Sequence, residues 1–333
     1  MAQCNEVGAL LPYKGQEANL TDNGIYRETV QRLLRASVAS ETRRAYSSRL
    51  KQFFSWCEDE GVPTFPTTPE ILAAYIAHLA DMGASCSTVG QTMATISATH
   101  KAEGLPSPTD SLLIKKLVKG YRREHGIAPQ RKDAATVDVI RALLATMQDD
   151  SPKSIRDAAI IALGFAGAFR RSELSALNMD DLKWTLRDDE EVLLVEVRRS
   201  KTDQEGQGMV KAIFPGKEED TSPTALLKRW LSLLDNPTSG PLFREILKGG
   251  RITDKRLNAQ SIRLIVKQAA ETTGLTLDLS AHSLRSGFVT TAIRQGKTER
   301  SIMNQTGHRS SQTLRGYFQR ENAIEDNAAR GLM

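Results

Sequence analysis

The chain has 333 residues, 40% of them hydrophobic and 26% charged, and 45 Lys+Arg against 40 Asp+Glu leave a net charge of +5. That length suits two domains, each with enough apolar content for a core, and the composition excludes disordered, collagen-like and disulfide-stapled classes. The longest apolar stretch, Ala158 to Phe169, has 12 residues, whereas a bilayer span takes roughly 20, so no membrane span is expected. No basic-then-apolar leader opens the chain, so no secretory signal is read. Cys4, Cys57 and Cys86 show no CxxC spacing, which argues against zinc and disulfides and for a reducing cytoplasm.

Residues 1–21 lack a sustained period and read as a mobile tail. A helix is expected from Asp22 to Ser37, and another from Ser40, with Tyr46, Leu50, Phe53, Phe54 and Cys57 on its apolar face. Thr68 and Pro69 open a third helix, with Leu72, Tyr75, Ile76 and Leu79 buried, that closes at Met82-Gly83. Two more follow over about Ser87–Glu103 and Asp110–Glu124, and the short loops predict a compact helical bundle over 22–124. His125 to Ala135 is polar and basic with Gly and Pro, the composition of a linker.

Beyond the linker, 136–333 reads as a second domain. Helices are expected over Thr136–Met147 and Ser154–Phe169. One convincing β pattern follows, a hairpin of Val192–Val197 and Met209–Phe214 around a polar Gly-containing turn. Helices resume over Thr224–Leu234, Asn258–Thr273, Ser283–Gln295, Thr298–Thr306 and Ser311–Tyr317, before a mildly amphipathic end, Asn322–Met333. The class is mainly α with a small β element.

The common catalytic signatures are missing: no GxxxxGK[ST], no HExxH, no GxSxG and no paired Cys/His clusters. The acidic runs Asp188-Asp189-Glu190-Glu191 and Glu218-Glu219-Asp220 read as solvated turns, not a metal site. An ordered set remains: Arg170-Arg171-Ser172-Glu173-Leu174 after an apolar helix, Lys201 in the hairpin turn, His282-Ser283-Leu284-Arg285, Gly307-His308, and Tyr317. Each is ordinary alone, as a surface salt-bridge Arg, a solvated Lys or a core Tyr.

In this order and spacing the set resembles the active site of the tyrosine recombinases, the phage-integrase type of site-specific DNA recombinase, with the Cre-type branch nearest in pattern. The likeness extends over residues 22–333 and implies an N-terminal helical, SAM-like core-binding domain and an α+β catalytic domain. It implies strand exchange between two duplex sites through a 3′-phosphotyrosyl link and a Holliday junction, with no metal, ATP or other cofactor. Arg170 and Arg285 match the two phosphate-clamping arginines, with Arg171 a rival for the first. Fixed guanidinium forks suit the charge that builds on nonbridging oxygens. Glu173 is expected to orient a clamp residue or His282, unless it is only a helix-surface carboxylate. Tyr317 matches the nucleophile, His282 a base, Lys201 the acid that protonates the departing 5′ oxygen, and His308 a donor to a phosphate oxygen. His308 stands where Cre-type members carry Trp, and Gly-Ala-Phe replaces the family's frequent Thr-Gly-Leu before Arg170.

For DNA contact, Arg43, Arg44, Ser48 and Lys51 lie on the polar side of the helix from Ser40, and Ser87, Thr88 and Gln91 open a second groove-facing helix. Solvated helix faces are the alternative. Lys115, Lys116, Lys119, Arg122 and Arg123 form a dense basic run suited to phosphates, with Lys132 and Arg199 as further backbone contacts. Gln260 falls where the Cre pattern has a base-reading Arg. The implied partners are duplex DNA with inverted half-sites and three further copies in a homotetramer, in a bacterial nucleoid or phage-infected cell. The tail, with Ala323, Ile324, Ala328 and Leu332 on one face, docks on a neighbour or packs on its own subunit. A topoisomerase of the same chemistry and an idle DNA-binding protein are the rival functions.

Overall fold

The computed structural model describes Thr29, residues 32–33, 36–126, 132–198 and 208–325. The helix expected over 22–37 falls mostly outside that set. The chain divides into two compact units, Met1–Gln130 and Arg131–Met333.

In the first unit four helices pack together: α1 (Ser40–Asp59), α2 (Pro69–Asp81), α3 (Cys86–Ala102) and α4 (Leu112–His125). Thr68, Ser85 and Ser111 cap α2, α3 and α4 by accepting a backbone N–H of the first turn, which fixes where each helix starts. The core contains the faces read from the periodicity, where Leu50, Phe53, Phe54 and Cys57 meet Leu72, Tyr75 and Ile76, and adds Val89, Ile96, Ile114 and Tyr121.

The second unit is mainly helical around a small sheet. Its elements run α5 (Val137–Ala145), α6 (Pro152–Ala166), α7 (Arg171–Ala176), β1 (Leu182–Arg187), β2 (Glu190–Val197), β3 (Met209–Ile213) and α8 (Pro223–Ser232). Then come β4 (Arg244–Ile246), β5 (Ile252–Arg256), α9 (Ala259–Thr273), α10 (Ala281–Arg294), α11 (Glu299–Thr306) and α12 (Gln312–Glu325). Helix α6 is buried from Ser154 to Gly164 and is the hub on which α8 and α10 pack. Its apolar run continues to Phe169, but the helix stops at Ala166 and a turn takes over.

Two strand regions depart from the sequence reading. The sheet has three antiparallel strands in the order β1-β2-β3. The acidic run at 188–191 is not a loop: Asp188 and Asp189, both at positive φ, make the two-residue turn, and Glu190 and Glu191 begin β2. A second, short hairpin of β4 and β5 also forms.

Residues 133–137 bind across α10. Ala135 N–H donates to Ser283 O at 2.9 Å, and Val137 N–H to Thr291 Oγ1 at 3.2 Å. Gly287 makes this approach possible, since a Cβ there would lie 1.8 Å from Ala135 O.

Candidate active site

The site is assembled where α6 ends. Gly167, Ala168 and Phe169 turn the chain, and Ala168 takes φ 45°, a left-handed conformation costly for a residue with a Cβ. Phe169, 1% exposed, anchors the turn in the core. Arg170 follows as the residue before α7. Its N–H donates to Glu173 Oε2 at 2.9 Å and its Nη1 to Glu173 Oε1 at 2.6 Å. Glu173 is 2% exposed, so it is a buried carboxylate bonded to Arg170 rather than a helix-surface group.

Helix α10 starts with a reciprocal cap between Ser280 and Ser283, which sets His282 and Arg285 in the opening turns. Arg285, 2% exposed, donates from Nη1 to Ala168 O at 2.8 Å and from Nη2 to His308 Nε2 at 2.8 Å. A guanidinium only donates, so Nε2 accepts and Nδ1 carries the imidazole proton. That proton faces Thr306 Oγ1 at 2.9 Å, whose hydroxyl donates to Ile302 O at 2.7 Å. Gly307 at φ 69° ends α11 and swings His308 toward Arg285. Tyr317, half-buried on α12, packs on a cluster of Val289, Ala292, Ile293, Ile302 and Leu314.

Burial and crowded cations set the protonation states. His308 is pushed down to about 4 by burial and then by Arg285, Arg170, His282 and Lys211. His282, whose rim meets solvent, is lowered by partial withdrawal from water and then by Arg285 and Arg170. Both imidazoles are therefore neutral near pH 7, the state in which one can accept a proton. Arg285 is lowered to about 10 by burial and by Arg170, with Glu173 and Tyr317 opposing, and stays charged. Two guanidiniums thus face a single carboxylate, an imbalance that an entering phosphate would relieve.

Arg170, Glu173, His282, Arg285, His308 and Tyr317 are the expected residues that come together. The structure gives His308 a different partner from the expected one, because its Nε2 accepts from Arg285 instead of facing outward as a donor. Lys201 and Arg199 lie outside the described residues, in the connection between β2 and β3. Arg171 is exposed and donates to Gln260 Oε1 at 3.3 Å, so both groups are engaged with each other. Lys132 is paired with Asp278.

In the first unit Arg44 pairs with Glu41 at 2.7 Å on an exposed face, alongside exposed Ser48 and Lys51 and half-buried Arg43. Ser87 is exposed, Thr88 meets the capping Ser85 at 3.0 Å, and exposed Gln91 accepts from Arg49 Nη2 at 3.3 Å. Lys115, Lys116, Lys119, Arg122 and Arg123 are all exposed on α4, and none forms an ion pair among the described residues.

Two residues at the site escaped the sequence reading. Lys211 on β3 is fully buried, with its ammonium 4.7 Å from the centre of the Phe169 ring and 4.0 Å from Glu173 Oε2. Gln305 on α11 donates its amide to Ala166 O at 2.9 Å and to Ala212 O at 3.1 Å. Strand alternation carried a signal for Lys211, which is in phase with buried Ile213 and out of phase with exposed Val210. For Gln305 the sequence offered none.

Residues 134–323 match the model of the Phage integrase family, more than half of the chain. The chain belongs to the phage integrase family. An integrase/recombinase xerD homolog of Selenomonas ruminantium is 32% identical over 94% of this chain and 91% of its own length. Recombinase cre of Escherichia phage P1 is 24% identical over 85% of each chain. Among solved structures, XerH site-specific recombinase bound to a palindromic difH substrate superposes with a TM-score of 0.63 at 16% identity, covering 97% of this chain and 94% of that one. A lambda integrase dimer on a COC′ core site gives 0.58 at 16% identity, covering 88% and 93%. These structural likenesses establish the tyrosine-recombinase fold, with its helical units and small sheet. As a phage integrase family member the protein is a tyrosine-type site-specific DNA recombinase, and the family reaction is metal-independent strand exchange through a phosphotyrosyl intermediate. No helix among the described residues is long and apolar enough to cross a membrane.

Proposed function

We propose that Tyr317 is the nucleophile, that Arg170 and Arg285 clamp the scissile phosphate, and that Glu173 holds Arg170 in register. The observation that carries this reading is the convergence on Arg285: it binds the turn before Arg170 and it binds His308, while Tyr317 packs with Val289, Ala292 and Ile293 of the helix that carries Arg285. His282, kept neutral, takes the phenol proton as Tyr317 attacks phosphorus. The P–O5′ bond breaks as the P–O(Tyr) bond forms, and Lys201 supplies the proton to the leaving oxygen. Attack by a 5′ hydroxyl reverses these steps and frees Tyr317. A phosphate arriving at Arg285 competes for the edge that now binds His308; His308 then serves the phosphate as a donor in its other tautomer, with the proton on Nε2 and Nδ1 accepting from the Thr306 hydroxyl.

In this reading the first unit, 22–124, presents α1, α3 and the basic face of α4 to duplex DNA, residues 125–135 link it to the catalytic unit, and two protomers fill inverted half-sites. Pairing of two such duplexes makes a homotetramer, as in the Cre-type scheme. A groove of about 620 Å³ in the second unit, lined by Val137, Phe165, Phe214, Phe288, Ala292 and Ile302 among others, supports docking of the apolar face of 322–333.

Trapping tests the core of this. The protein is incubated with a library of random duplexes, denatured, and the DNA covalently held on it is sequenced. Inverted half-sites are expected from the wild type, and no adduct from Tyr317→Phe with binding retained. Adducts persisting in that variant would overturn the nucleophile assignment.

A further inference from the structure

The end of α6 leaves carbonyls that the helix itself cannot satisfy. Those of Leu163, Gly164 and Phe165 are taken by the N–H groups of Gly167, Phe169 and Ala168 as the turn folds back. The next three, on Ala166, Gly167 and Ala168, are taken by side chains from three other elements. Gln305 of α11 binds Ala166 O, Lys211 of β3 binds Gly167 O at 2.6 Å, and Arg285 of α10 binds Ala168 O. Lys211 also lies 3.5 Å from Ala168 O, the carbonyl that fixes Arg285. The negative end of the helix dipole thus meets two cations, and the strained turn is held on three sides.

We propose that Lys211, supported by Gln305, is a positioning residue for the recombination reaction: it pins the turn between α6 and α7 to β3 so that Arg170 and Arg285 converge on one phosphate. The inference rests on the proposed roles of those arginines. Lys211 is fully enclosed, its donors point at backbone carbonyls, and Glu173 stands beyond hydrogen-bond reach of it. Such a group has no path to a leaving oxygen, which separates its role from that of a proton donor. Desolvation is what holds its ammonium near the edge of ionisation, at about 7, with Glu173 opposing and Arg285 and Arg170 reinforcing. A lysine kept in so unfavourable a place contributes through the carbonyls it binds.

The test uses full-length Lys211→Met, Lys211→Arg and Gln305→Leu variants, with the duplex recovered by trapping on the wild type. For Lys211→Met, duplex affinity is expected to stay within about twofold while covalent adduct formation slows about tenfold or more, a rate loss without a binding loss. Lys211→Arg should retain more of the rate than Lys211→Met. A duplex with sulfur in place of the 5′ bridging oxygen has a leaving group that needs no proton. Lys211→Met should remain slow on it, and recovery of its rate would make Lys211 a proton donor and overturn the proposal. An unchanged rate on the ordinary duplex would overturn it as well.

Hydrogen–deuterium exchange of the free proteins needs no DNA. Amides 167–174 are expected to exchange faster in Lys211→Met, and to a smaller extent in Gln305→Leu, with α8 unaffected. Unchanged exchange there in the folded variants refutes the tie. Where Lys211→Met does not fold, Gln305→Leu decides by the same measurement. Failure of the wild type to trap any duplex would count against Tyr317 as nucleophile, while the exchange comparison would still decide Lys211.

Discussion

Around Arg285 and along α4 the protein gathers positive charge in opposite ways. In the cluster, Arg285 and Lys211 are buried, Arg170 is nearly so, and each donates to a carbonyl, an imidazole or the carboxylate of Glu173. On α4, Lys115, Lys116, Lys119, Arg122 and Arg123 face water. The first arrangement pre-pays the ordering of its charges, so that in the proposed reaction they stand aimed where charge develops on the nonbridging phosphate oxygens. The second has nothing aimed, and its natural contribution is counterion release on a polyanion, which is long-ranged and indifferent to sequence. On the proposed reading, chemistry and affinity are carried by separate cations.

That separation can be broken most forcefully at Arg285. Arg285→Ala is expected to lower the rate of covalent adduct formation by about 10²–10³-fold with little change in duplex affinity, read from single-turnover assays beside gel shifts. The mirror experiment is Lys115→Ala, Lys119→Ala and Arg122→Ala combined. It should weaken binding across all sequences and flatten the slope of log affinity against log salt by about 0.9 per residue, while leaving the saturated cleavage rate intact. A change in that saturated rate would mean the basic face does more than hold DNA.

The subtlest effect concerns acid. His308 has its folded pKa depressed from 6.5 to about 4, so as pH falls through that window the unfolded chain takes up a proton that the folded chain refuses. Stability should therefore fall from about pH 6.5 to pH 4, and His308→Gln should remove that part of the slope. Urea melts at a series of pH values check it.

How much of this was written in the chain depends on range. The helices of the first unit were legible because Leu50, Phe53, Phe54, Leu72, Tyr75 and Ile76 repeat at helical spacing and Thr68 sits at a start. Strand β1 was not, because Asp188 and Asp189 look like a solvated loop until their positive φ angles make them a turn. The order of Arg170, Glu173, His282, Arg285, His308 and Tyr317 was readable from the resemblance, and geometry gathers these residues. Pairings across distance were hidden: Gln91 with Arg49, Gln260 with Arg171, and Lys211 with the carbonyls of 167 and 168. Spacing reports what shares a helix face, and it is silent about which strand will pass beneath a turn.

The contact of Ala135 with Gly287 bears on how this protein can be divided. A fragment that begins ahead of Lys132 keeps the belt whose bonds to Ser283 and Thr291 brace the helix of His282 and Arg285. One trimmed to start at Val137 loses the bond to Ser283 and uncovers Gly287, over which Ala135 is packed. Anyone cutting out the C-terminal half for crystallisation or labelling should place the scissors upstream of that belt.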